Sequence, residues 1–230
     1  MTTSTPGFNT DNVIEIFSRQ PYLPLNNQRF TRLAPEYDGL EMIYSNESNP
    51  KKLFSIKILC WALQSDGEVV GLVPWLDDIV TCKKIQDPLN GCWEGYYDPK
   101  NDEIFYEAPV HKIIELETAS EHYGNYKVSN NVVQEIPDII GTHAALSNDG
   151  FRNITLKEVV SWRLMTSGAI ECMLIQDSLV SSTPVLPGDT CLYSGKSDEA
   201  FRYFFQHHIA NKIKARDPEA LEAIAMLVDS

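Results

Sequence analysis

Between Glu94 and His122 the chain carries eight carboxylates, Glu94, Asp98, Asp102, Glu103, Glu107, Glu115, Glu117 and Glu121, against only two cations, Lys100 and Lys112. Trp93, Tyr96, Tyr97, Phe105 and Tyr106 are interleaved with them. Carboxylates attract positive charge, and so do aromatic faces through their quadrupole. The composition therefore suits a pocket for a cationic small molecule or a basic partner. Trp93, Tyr97, Glu107 and Glu115 are the residues expected to line it.

A different chemistry is open to the end of the same segment. Val110 to Glu117 reads as a strand, in which alternation places His111, Ile113, Glu115 and Glu117 on one face and Lys112, Ile114 and Leu116 on the other. One histidine and two carboxylates are a ligand set for a divalent metal, and a metal-dependent enzyme built on His111, Glu115 and Glu117 is the alternative reading. Residues four apart on a strand stand roughly 13 Å from one another, so Glu94, Glu107, His122 or His143 would have to complete such a site. A solvated acidic sheet face explains the same residues without a ligand, so no cofactor is expected unless the alternative holds.

Other motifs do not survive counting. Gly195-Lys196-Ser197 resembles the end of a phosphate-binding loop, but the glycine required five positions before Gly195 is Thr190. Asp198 and Glu199 follow at once and would repel a phosphate, so the tripeptide reads as a helix start. His207 and His208 would point about 100° apart on a helix and could not share an ion unaided. Gly-x-Ser-x-Gly is absent, and the five cysteines, Cys60, Cys82, Cys92, Cys172 and Cys191, form no Cys-x-x-Cys pair, as expected of reduced and mostly buried thiols. A non-catalytic binding or regulatory module is the function these observations favour.

The elements that must position these residues divide unevenly. Residues 1–12 are Thr-, Ser- and Asn-rich and read as a flexible N-terminus. Prolines and Asn/Gly turns make 20–52 irregular. Leu53 to Trp75 reads as a hairpin about Asp66-Gly67, with Leu63 facing Val70, Trp61 facing Leu72 and Cys60 facing Val73, and with pairing ended by Pro74. Trp93–Tyr97, Ile104–Glu107 and Val132–Ile136 read as further strands, and 137–153 as a loop.

Thr155-x-x-Glu158 has the form of a capping box opening a helix that stops at Gly168. Ile170–Ile175 returns to strand, and two helices, Asp198–Ala215 and Pro218–Val228, close the chain. The expected class is α+β: an antiparallel sheet or partial β-barrel over about 53–136, preceded by the turn-rich segment from residue 13, and an α-rich part over 154–230 ending in an antiparallel helix pair. That pair offers a homo-oligomer interface, and whether the two parts share one core is left open. No internal repeat stands out.

Across 230 residues the formal net charge is −13, which argues against nucleic acid as a partner. Charges interrupt every apolar run and no signal peptide is evident, so neither a membrane partner nor secretion is expected, and the chain reads as cytoplasmic.

Overall fold

The computed structural model describes residues 30–46, 49–82, 91–122, 131–149, 153–175, 192–195 and 198–216. Its elements are β1 (Phe30–Pro35), β2 (Glu41–Asn46), β3 (Asn49–Lys57), β4 (Cys60–Gln64), β5 (Val69–Trp75), β6 (Asp78–Thr81), β7 (Gly91–Asp98), β8 (Glu103–Phe105), α1 (Val110–His122), β9 (Val132–Pro137), β10 (Thr142–Leu146), β11 (Thr155–Met165), β12 (Ile170–Ile175), β13 (Leu192–Ser194), β14 (Phe201–Gln206) and α2 (His207–Arg216). Three antiparallel sheets result: β1-β4-β5-β6, β3-β2-β7-β8, and β13-β12-β11-β10-β14 with β9 also on β11.

The protein is thus mainly β, and the α+β assignment with an α-rich C-terminal part is overturned. Residues 155–165 form a strand because Val159, Trp162 and Leu164 are buried by partners on both sides, β9 and β12. Those ladders outweigh a four-residue capping signal. Gly168, expected to end a helix, has φ +84° in the turn that joins β11 to β12. Phe201–Gln206 is a strand whose Phe204 packs against Trp162, so the expected helix from Asp198 shrinks to α2, from His207. No C-terminal helix pair is present among the described residues, and the expected helix 218–228 lies outside them, as does the N-terminus 1–12. Regular structure is already present in β1 and β2, ahead of the expected start at Leu53, and the expected loop 137–153 contains β10.

The strand register shows an internal duplication that the amino-acid sequence conceals. Ala34 pairs with Trp61, and Ile136 with Trp162; Cys60 pairs with Leu72, and Ser161 with Met173. Glu41 pairs with Lys57 and Tyr97, while His143 pairs with Glu158 and Phe205. Pro74 opposite Ile79 corresponds to Ile175 opposite Leu192. β1, β2, β4, β5, β6 and β7 therefore recur, in order and in register, as β9, β10, the end of β11, β12, β13 and β14. We call the two halves the first and second units. β11 covers both β3 and β4, and the interruption of the first unit at Ile58-Leu59 corresponds to a bulge between Val159 and Ser161.

The hairpins match as well. Gln64 N donates to Glu68 O and Gly67 N to Gln64 O; Met165 N donates to Ala169 O and Gly168 N to Met165 O. Each is a three-residue loop closed by a glycine at positive φ, +92° at Gly67 and +84° at Gly168. The expected two-residue loop is one residue too short, and so the pairing of Leu63 is with Val69 rather than Val70. Pairing of β5 with β4 does stop short of Pro74, at Leu72, while β5 continues to Trp75 against β6.

The units share a core asymmetrically. On β4, Trp61 faces the interior of the first unit, while Cys60 and Ala62 on the opposite face join the cluster containing Trp162, Ile136 and Phe204 of the second. The corresponding outer face of the second unit carries Ser161, Arg163 and Glu135, the last two ion-paired at 2.9 Å. Gln134 ties the units together, its side chain accepting from Leu33 N and donating to Leu33 O.

Candidate functional site

In each unit a Pro-acid-x-x-Gly loop follows the first strand, and its acid holds a tryptophan. Trp61 Nε1 donates to Glu36 Oε2 at 2.6 Å, while Glu36 Oε1 accepts from the backbone N–H groups of Asp38, Gly39 and Leu40. Trp162 Nε1 donates to Asp138 Oδ1 at 2.9 Å, and Asp138 Oδ2 accepts from Gly141 and Thr142. Gly39 and Gly141 supply the left-handed backbone, at φ +84° and +73°, that lets the loop fold back on its acid. The tryptophans lean on Tyr96 and Phe204, with ring centroids 4.6 and 5.2 Å apart.

The first unit adds a cation to this arrangement. Lys112, with its side chain only 2% exposed, places Nζ 2.7 Å from Asp38, 3.3 Å from Glu36 and 3.3 Å from Glu115. Burial disfavours the ammonium, but its hydrogen bond to Asp38 and the charges of Glu36, Glu115 and Asp38 outweigh burial and raise its pKa. The bond from Lys112, reinforced by His111, holds Asp38 below its ordinary value. A lysine that stays charged inside a carboxylate cage is a structural pin rather than a proton carrier.

This pin depends on helical geometry. Val110–His122 is a helix, not the expected strand, starting where Pro109 O accepts from Lys112 N and Ile113 N. Lys112 and Leu116, one turn apart, are its buried side, while Val110, Ile113 and Ile114 are exposed. Arg32 fastens the helix from outside by donating to the carbonyls of Leu116 and Glu117. Proline at a helix start, followed by a four-residue period in Lys112 and Leu116, is the sequence signal that could have revealed α1. Two adjacent isoleucines point the other way locally, because β-branched residues favour strands.

Beside the start of α1, the β7-β8 hairpin and the chain leading from it enclose an open groove of about 600 Å³, lined by Asp98, Glu103, Phe105, Tyr106, Glu107 and His111 among others. Register explains the selection. Asp98 pairs with Glu103 and Tyr96 with Phe105, so these project to one face, whereas Tyr97 and Ile104 project to the other. Of the residues expected to bind, Glu107 lines the groove. Trp93 stands behind it, edge-on to Tyr96 and Tyr106 at 5.5 and 6.4 Å. Tyr97 points away and donates to Asp102 at 3.0 Å. Glu115 lies in the Lys112 cage.

The residues of the metal reading are also placed. His111 and Glu115 come one helical turn apart, and Glu117 is turned off their line by two further residues. His111 Nε2 is 3.2 Å from Asp38 Oδ2, and the ammonium of Lys112 occupies the space between Asp38 and Glu115. Among the described residues no three His, Cys, Asp or Glu side chains converge as a ligand set. Cys60, Cys82 and Cys172 are buried, and Cys82 Sγ lies 3.3 Å from the Tyr96 hydroxyl. Burial also pushes the Cys60 thiol far up from its ordinary value, helped by the charge of Asp138, so Cys60 is not a nucleophile. No helix among the described residues is long and apolar enough to cross a membrane.

No protein-family model, curated protein or solved structure matches the chain.

Proposed function

We propose that the protein is a non-catalytic binding module whose groove beside α1 receives a basic partner. The observation that carries this reading is the lining itself: Asp98, Glu103 and Glu107 with the rings of Phe105 and Tyr106, and no lysine or arginine among the lining residues. Tyr106 is 69% exposed, so its ring face is available to a cation. The chain's net charge of −13 adds long-range attraction that would speed encounter with a positive partner.

Titration with a lysine- and arginine-rich hexapeptide, followed by calorimetry at low and high salt, tests it. Binding should weaken as salt rises, because exposed charges are screened. Tyr106→Ala should cost about 0.5–1 kcal/mol of binding, a two- to five-fold loss, and Glu103→Gln with Glu107→Gln a similar amount per charge. Salt-independent binding, or binding indifferent to all three substitutions, would discard the groove as the site.

A further inference from the structure

We propose that the acidic groove continues into an apolar strip along α1, and that the two together dock an amphipathic segment of another protein, one that sets two or three apolar side chains beside its lysines or arginines. This rests on the reading of the groove as a site for a basic partner, and adds what that partner must carry next to its charge.

The strip begins inside the groove. Tyr106 and Val110 line the groove, and Ile113 and Ile114 follow Val110 at the three- and four-residue spacing that puts side chains on one side of a helix. Val110 is 71% exposed and Ile114 54%, and Val110, Ile113 and Ile114 all lie outside both buried clusters. The helix already spends its inward side on Lys112 and Leu116, so these three contribute nothing to the core. Single exposed apolar residues are ordinary on a protein surface; four of them within residues 106–114 make a patch, and such a patch marks an interface. The exposed apolar residues of the second unit, Val133, Val160 and Ile175, stand one each on β9, β11 and β12.

Charge decides what covers the strip. Asp98, Glu103 and Glu107 stand at one end of it, and the exposed Glu117, one turn beyond Ile113, at the other. Lys112, the only lysine or arginine of α1, is turned inward to Glu36, Asp38 and Glu115. A second copy of this chain would bring the same carboxylates face to face in a molecule of net charge −13, and an anionic membrane surface would be repelled for the same reason. A positively charged partner is attracted at both ends, while its apolar side chains leave water on the strip between them.

Calorimetric titration of the full chain with three peptides is the test: the lysine- and arginine-rich hexapeptide, and the same hexapeptide carrying three leucines at its N-terminal or at its C-terminal end. The better of the two extended peptides should bind at least about ten-fold tighter than the hexapeptide, and this gain should persist at high salt, where the hexapeptide itself weakens. Ile113→Gln with Ile114→Gln should abolish the gain and leave the hexapeptide's affinity unchanged, and Ile114→Gln alone should remove part of it. Both positions are exposed and glutamine is a good helix former, so circular dichroism should show the variants folded. Extended peptides that bind no tighter than the hexapeptide, or a gain that survives the double substitution, overturn the strip and leave the groove standing. Binding of none of the peptides removes the groove and the strip with it, and self-association of the free chain that the double substitution abolishes would put a second copy there instead.

Discussion

Glu36 in the first unit and Asp138 in the second stand at corresponding points of the chain and each accept a tryptophan N–H, yet their surroundings differ in kind. Asp38, two residues after Glu36, faces Lys112, whereas the corresponding position after Asp138 is Ile140, half-buried against the apolar core. Among the described residues neither that acid nor a lysine facing it recurs beside Asp138. A buried ammonium without its carboxylates would be prohibitively costly, which is why acid and lysine occur together in the cage of the first unit. The second difference lies after β7 and β14. In the first unit a turn, β8 and residues 106–109 intervene before α1, while in the second Gln206 leads directly into α2. The acidic groove is made from that extra segment. A shared frame thus holds each unit's own surface, and the specialised residues lie where the two copies depart from one another.

The largest way to break this comparison is Lys112→Met. It keeps the apolar stem but leaves Glu36 buried beside no cation, and should destabilise the protein by about 3–5 kcal/mol in denaturant unfolding, with Glu36→Gln recovering part of the loss. Asp138→Asn should cost only about 1–3 kcal/mol, because among the described residues no ammonium is ion-paired to Asp138 and none would be stranded. Equal losses would mean that the units are held in the same way after all.

The wild-type cage also predicts a pH profile. Asp38 has its folded pKa lowered from 3.8, so its contribution is present above that value and is lost as pH falls through the folded one. Lys112 has its folded pKa raised from 10.5, so its contribution is present below that value and is lost as pH rises through the folded one. Stability measured across both limbs should flatten in Lys112→Met; a profile unchanged by the substitution would show that other groups set it.

Smaller effects sharpen the equivalence. Trp61→Phe and Trp162→Phe each remove a hydrogen bond to a carboxylate and should cost similar amounts, about 1.5–3 kcal/mol in chemical unfolding. Gly39→Ala and Gly141→Ala have open space for the new methyl group but a left-handed backbone to strain, so each should cost about 1–2 kcal/mol. A large loss at one glycine and none at the other would show that the two loops do different work.

Several strands were legible because their local signals agreed with their surroundings. Trp93–Tyr97, Val132–Ile136 and Ile170–Ile175 combine β-branched or aromatic residues with nearby turn formers, and each is a strand. The hairpin at Asp66-Gly67 was legible as a hairpin but not in register, because Cys60, Trp61 and Ala62 are buried on both faces and no polar alternation marks which side points inward. The duplication was hidden for a related reason. Pro35, Gly39, Trp61 and Gly67 recur as Pro137, Gly141, Trp162 and Gly168, but a one-residue change of offset separates the first pair from the second, and the intervening residues answer to different neighbours. Of the expected binding residues, Glu107 reached the groove and Tyr97 did not, since period-two alternation sends neighbours to opposite faces.

The amino-acid sequence by itself determined the strong net negative charge, the crowding of carboxylates and aromatics between Glu94 and His122, and the turns at glycine, because charge, composition and positive-φ preference are properties of residues. Only the tertiary structure decided that Val110–His122 is a helix and Thr155–Met165 a strand. Short segments carry nearly balanced local preferences, and the balance is tipped by what each buries: an ammonium among three carboxylates in one case, a tryptophan between two ladders in the other.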